Sequence, residues 1–124
     1  MSEHDVQCAV VKYCDAMGYP CYAVPNGQKR TPAQAAWLRD EGMRPGVPDL
    51  CLPVARGRYH SLYIEMKYGT NKATDEQAAW IRALREQGMC AYVCYGASSA
   101  IALIDLYMAL EAPPCDTPAT IGGS

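Results

Sequence analysis

The sequence predicts an α/β fold: a small mixed β-sheet of about four strands, flanked by helices on both faces. Three observations carry that expectation. Segments of helical and strand-like apolar spacing alternate in the order α-β-α-β-β-α-β-α. Half of the 124 residues are apolar and 19% are charged, which is enough for one packed core in a chain too short for two domains. Between the segments fall capping residues, glycines and prolines, where they would stop one element and start the next.

Ser2 caps the first helix, whose first turn carries Glu3 and Asp5, and Val6, Val10, Tyr13 and Met17 follow at helical spacing until Gly18 and Pro20 end it. Cys21 to Val24 reads as a short strand closed by Pro25-Asn26-Gly27. Thr31 before Pro32 opens a second helix that Gly42 stops. After the turn-rich Arg44-Pro45-Gly46-Val47-Pro48, two strands, Asp49 to Val54 and Ser61 to Lys67, form a hairpin across Ala55-Arg56-Gly57-Arg58. Thr74 and Gln77 make a capping box for a helix that runs to Gly88, with Trp80, Ile81 and Leu84 on its apolar side. Cys90 to Tyr95 is the fourth strand. Ser98 or Ser99 caps a last helix that is apolar most of the way round. The Pro- and Gly-rich end divides the chain into a domain over residues 1–111 and a flexible tail over 112–124.

Composition excludes several classes. A net charge of −2 is not that of a protein coating DNA by bulk charge. No apolar run reaches the roughly eighteen residues needed to span a bilayer, so no membrane partner is expected. The start, Met-Ser-Glu-His-Asp, has neither the basic nor the apolar region of a signal peptide, so a soluble, cytoplasmic protein is expected. The seven cysteines contain no C-x-x-C pair and lie mostly in apolar runs, so they read as reduced thiols acting as small hydrophobes. Nothing calls for an organic cofactor.

Chemistry concentrates in Gly46-Val47-Pro48-Asp49-Leu50 and Tyr63-Ile64-Glu65-Met66-Lys67. Residues two apart in a strand share a face, so Glu65 and Lys67 point one way while Ile64 and Met66 point into the core. Asp49 and Glu65 each lie eight residues from Gly57, so a hairpin centred there sets them opposite each other, with Cβ atoms roughly 5 Å apart. Carboxylates that close repel unless a cation lies between them. Mg²⁺ uses one or two carboxylates and completes its shell with water and phosphate oxygens. Asp49 and Glu65 would be its carboxylate ligands, and the Met66 carbonyl could add another. Lys67 could orient the attacking water and neutralise charge on the phosphate. These parts suit metal-assisted hydrolysis of a phosphodiester, whereas a triplet E-x-K alone also fits a solvated hairpin face.

The wider string is more specific. Glu3 on the first helix, Asn26-Gly27, Gly46-Val47-Pro48-Asp49-Leu50, Ile64-Glu65-Met66-Lys67 and Gln77-Ala78-Ala79-Trp80-Ile81 occur in this order. Over residues 3 to 96 the chain closely resembles the VRR-NUC (virus-type replication-repair nuclease) family of the PD-(D/E)xK nucleases. The resemblance implies a restriction-endonuclease-like core and a Mg²⁺- or Mn²⁺-dependent DNA endonuclease acting on branched, Holliday-junction-like substrates. It also implies that Asp49 and Glu65 ligate metal, that Lys67 is the catalytic lysine, and that Gln77 is an active-site glutamine. Glu3 matches the acid of the first helix, with Asp5 as the alternative. Gln77 serves equally well as a helix cap, and Trp80 as a core residue.

Charge is distributed unevenly along the chain. Residues 26 to 58 hold Lys29, Arg30, Arg39, Arg44, Arg56 and Arg58 against Asp40, Glu41 and Asp49, while the remainder is acidic. That asymmetry marks Lys29, Arg30, Arg44, Arg56 and Arg58, joined by Lys72, as candidate DNA-binding residues. The rival readings are a non-catalytic nucleic-acid-binding module and an adaptor. A pure binder has no use for facing carboxylates that repel phosphate, and an adaptor leaves the basic segment unexplained. The apolar last helix suggests a homodimer, with Ile101, Ile104 and Met108 buried against a two-fold mate.

Overall fold

A computed structural model describes residues 1–25 and 30–114. The Asn26-Gly27 turn, Lys29, Cys115 and the rest of the expected tail lie outside the described residues.

Each of the first three helices begins at a reciprocal cap. In α1 (Glu3–Met17), Ser2 accepts from the Asp5 N–H while Asp5 accepts from the Ser2 N–H, and Gly18 closes the helix in the left-handed conformation at φ 73°. Thr31 and Gln34 do the same for α2 (Pro32–Asp40), and Thr74 and Gln77 for α3 (Asp75–Glu86). The fourth, α4 (Ala97–Met108), departs from the expectation. It starts before Ser98, from Gly96 at φ 85°, and has no side-chain cap. A glycine turn delivers the chain straight from the preceding strand, so the serines fall inside the first turn.

The strands β1 (Tyr22–Ala23), β2 (Leu50–Leu52), β3 (Leu62–Lys67) and β4 (Cys90–Tyr95) lie in sheet order β1-β2-β3-β4. The first three are antiparallel, and β4 joins β3 in parallel after the α3 crossover. The hairpin register pairs Leu50 with Ile64 and Leu52 with Leu62, the register expected for a turn centred on Gly57. β2 is shorter than expected. Opposite Met66 the ladder would place Pro48, which has no N–H, and the Asp49 carboxylate takes the Met66 N–H instead, at 2.8 Å. At its other end, Val54 N–H turns back to the Leu52 carbonyl.

One face of the sheet holds the core. Leu50, Leu52, Leu62, Ile64 and Met66 bury themselves with Val6, Val10 and Cys14 of α1 and Ala100, Ile104 and Tyr107 of α4. The buried Tyr107 hydroxyl donates to the Val54 carbonyl, so its polar end is satisfied. This packing corrects the expected dimer surface. Ile104 is fully buried in the chain's own core, Met108 packs against that core, and Ile101 is half-buried. Helical periodicity showed that α4 was apolar but not that the same chain would cover Ile104 and Met108 while leaving Leu106 71% exposed. Cys8, Cys14, Cys21, Cys51, Cys90 and Cys94 are free thiols, and the last two, with Cys14 and Cys51, are buried. Among the described residues, no helix is long and apolar enough to cross a membrane.

Candidate active site

β3 alternates between two buried environments. Ile64 and Met66 face the core, and Glu65 and Lys67 point to the opposite face, where they are 2% and 7% exposed. A solvated charged face, the alternative that the triplet alone left open, is therefore not what forms.

Three elements converge on Glu65. The hairpin register continues to place Asp49 across from it. Within β3, the Lys67 Nζ sits 3.7 Å from Glu65 Oε2. From α3, Gln77 Nε2 donates to the same oxygen at 3.0 Å. That contact places α3 on the face opposite α1 and α4, and it shows that Gln77 is both cap and site residue: its backbone N–H and Oε1 serve Thr74 while its amide nitrogen reaches the carboxylate. Gly46 makes this approach possible. It adopts φ 88°, and a Cβ there would lie 2.6 Å from the Glu76 carbonyl carbon, so only glycine lets the loop before Asp49 press against the α3 backbone.

Burial pushes the Glu65 carboxyl up to about 8. The facing Asp49 carboxyl raises it further by charge and hydrogen bonding, Lys67 opposes the rise, and Glu3 adds to it. Desolvation dominates because the carboxyl is sealed between β2, β3 and α3.

Of the two first-helix acids, Asp5 is committed to the Ser2 cap. Glu3 instead accepts a hydrogen bond from Asn71 Nδ2 at 3.0 Å and is near enough for its charge to act on Glu65. Of the two acids, Glu3 is the one whose charge acts on Glu65. Among the described residues, however, no three His, Cys, Asp or Glu side chains gather as a metal-binding group, so Glu3 is not drawn up beside Asp49 and Glu65 as a third ligand. Asn71 was not legible as a site neighbour, because its partner is 68 positions away. Lys72 follows it in the same exposed loop.

The basic residues divide. Arg30 and Arg44 line a cleft of about 590 Å³ that also reaches Gln77. Arg56 and Arg58 do not line that cleft. They sit at the hairpin turn, outside β3. Arg56 is spent on the carbonyls of Ala55 and Met108, and Arg58 lies over the Tyr59 ring. A charge count along the chain cannot tell one end of a hairpin from the other.

A sheet with facing acids on a hairpin, a lysine two residues on and a glutamine brought in by the crossover helix defines an α/β nuclease-type fold. The model of the VRR-NUC domain matches residues 3–98, and the chain belongs to that family. A solved structure of a VRR-NUC domain protein is 30% identical, aligns over 90% of this chain and 92% of its own, and superposes with a TM-score of 0.79. A search of curated proteins gives no match.

Proposed function

We propose that the protein is a Mg²⁺- or Mn²⁺-dependent endonuclease that hydrolyses phosphodiester bonds of branched DNA. The observation that carries this reading is the pair of facing carboxylates, Asp49 and Glu65, one of them almost wholly buried beside a single cation, Lys67. The donor set is all hard oxygen, as these metals require. Met66 N–H takes Asp49 Oδ2 and Gln77 takes Glu65 Oε2, and the two carboxyls also hydrogen-bond each other, a shared proton that a metal ion would replace. In a strand, the Met66 carbonyl points to the same side as its N–H, toward Asp49. Asp49, Glu65 and the Met66 carbonyl would hold the ion, with Glu3 as the outlying acid.

When bound, the metal supplies Lewis-acid polarisation of the phosphate and a more acidic water. Lys67 Nζ holds positive charge where the phosphate gains negative charge, and it orients the water by donating to it. Gln77 fixes the Glu65 carboxylate against rotation. Arg30 and Arg44, with Lys72, supply charge for the DNA backbone. The nuclease domain occupies residues 1–111. Symmetric cutting of a junction requires two copies, and α2 offers a surface for pairing, because none of its residues is buried and Trp37 is 69% exposed.

The test is incubation of the protein with labelled duplex, flap and four-way-junction DNA in Mg²⁺, Mn²⁺ or EDTA. Metal-dependent cuts near the branch support the reading, and intact DNA in every lane refutes it. Light scattering at tens of micromolar reports the dimer separately.

A further inference from the structure

Three guanidinium groups line the cleft beside Gln77; Glu76 lines it too, but among the described residues no carboxylate lies within ion-pair distance of any of the three. Arg30, Arg39 and Arg44 all line it, yet the only ion pair among the described residues is Lys67 with Glu65. Arg44 is held in place by donating through Nη1 to the carbonyls of Arg39 and Met43, at 2.8 and 3.1 Å, and Arg30 Nη1 rests on the Met43 sulfur. A guanidinium has five donors and stays charged, so each keeps most of its capacity for an anion. The floor between them is apolar, formed in part by Leu38 and Met43.

We propose that this cleft receives a single unpaired nucleotide of the DNA substrate, its base on the apolar floor and its phosphates on the arginines. The inference rests on the reading of DNA as substrate and deepens it. A free inorganic anion would have no use for the floor, and an apolar ligand none for the arginines. At about 590 Å³ the cleft has room for one nucleotide. A base enters only when it has left the stack, as at a branch point. Gln77 lines the cleft and also donates to Glu65, so a nucleotide held there lies on the strand that passes the facing carboxylates. Arg39, which the charge map left aside, becomes part of the binding wall.

The full chain in EDTA, where no cleavage interferes, is titrated into two labelled duplexes that differ only by one unpaired 2-aminopurine. Wild type should bind the bulged duplex about tenfold tighter, the order expected when roughly 55 Å² of apolar surface is removed from water, with a change in 2-aminopurine emission. Arg39→Ala should reduce that preference to about twofold or less. Ala35→Trp, which fills the cleft from α2 without changing charge, should also reduce it and abolish the emission change. Because α2 buries none of its residues, both variants should fold, and circular dichroism checks this. Equal binding of the two duplexes by wild type, or an unchanged preference in Ala35→Trp, overturns the proposal. A bulge preference in a protein that cuts no DNA with Mg²⁺ or Mn²⁺ would instead refute the hydrolytic function and leave the cleft assignment standing.

Discussion

The two faces of β3 are almost equally buried and are built for opposite purposes. Leu62, Ile64 and Met66 are fully covered by α1 and α4, and every contact there favours the folded state. Glu65 and Lys67, on the other face, are buried nearly as deeply, yet one is a carboxyl set against a second carboxyl. Burial of that kind costs stability, since a desolvated charge is repaid only where its partners are well placed. The contrast separates two reasons for sealing a side chain from water. The core face removes apolar area from water, and the site face, on the function proposed, would lower the local dielectric and so strengthen the hold on a cation and a phosphate.

Substitutions on the two faces should therefore separate activity from stability. On the site face, Asp49→Asn or Glu65→Gln should lower metal-dependent cleavage by at least about a thousandfold, because a metal ligand is lost from the reacting centre. Metal-free DNA binding should hold or tighten as repulsion of phosphate is relieved. Melting temperature should not fall, and for Glu65→Gln it should rise. Lys67→Ala should also abolish cleavage, but with slightly weaker binding. Cleavage assays, anisotropy and thermal melts on one set of preparations read all three quantities, and full Mg²⁺-dependent cleavage by Asp49→Asn would remove the site assignment.

On the core face, Ile64→Ala should cost about 2–5 kcal/mol of unfolding free energy, measured by urea denaturation, because Ile64 is fully enclosed and leaves a cavity. Any residual folded fraction should keep normal cleavage per folded molecule. A large loss of activity at full stability would mean that the two faces are less separate than their geometry suggests.

What the sequence made legible follows from the range of the forces involved. The hairpin register could be read because Asp49 and Glu65 are symmetric about Gly57 and one turn fixes the pairing. The caps of α1 and α3 could be read because both partners lie within three residues. Deeper features were hidden. That Ile104 lies in the chain's own core, that Arg56 and Arg58 do not line the cleft, and that Asn71 meets Glu3 are consequences of contacts between distant segments. The start of α4 was misread for a local reason. A glycine at φ 85° can launch a helix without a side-chain cap.

A smaller effect sharpens the comparison through pH. In metal-free protein the Glu65 carboxyl is raised from 4.5 to about 8, so the folded state holds its proton more tightly than the unfolded chain does. Its contribution to stability is therefore complete below about pH 4.5 and is lost as the pH rises through 8. The loss from this group is at most about 1.4 kcal/mol per pH unit crossed. Glu65→Gln should flatten this part of the profile, while Ile64→Ala should shift the whole curve down without changing its shape. Thermal melts in EDTA from pH 4 to 9 test both. Adding Mg²⁺ should restore stability at the alkaline end, where the carboxylate is already ionised.

The smallest expected effect concerns the turn. Arg58 lies over the Tyr59 ring, 5.3 Å from its centroid, at the end of the hairpin remote from Glu65. Arg58 lies outside β3 and does not line the cleft, and screening over roughly 8 Å at physiological salt weakens what its charge can contribute to a phosphate there. Arg58→Ala should change metal-free DNA affinity by less than about 0.5 kcal/mol and leave the salt slope unaltered. Arg44→Ala, at the cleft, should lower that slope by about 1. Anisotropy titrations of the two variants between 50 and 200 mM salt make the comparison. A slope that fell equally for both would mean that DNA lies along the whole length of β2 and β3, and the separation of the turn from the site would have to be given up.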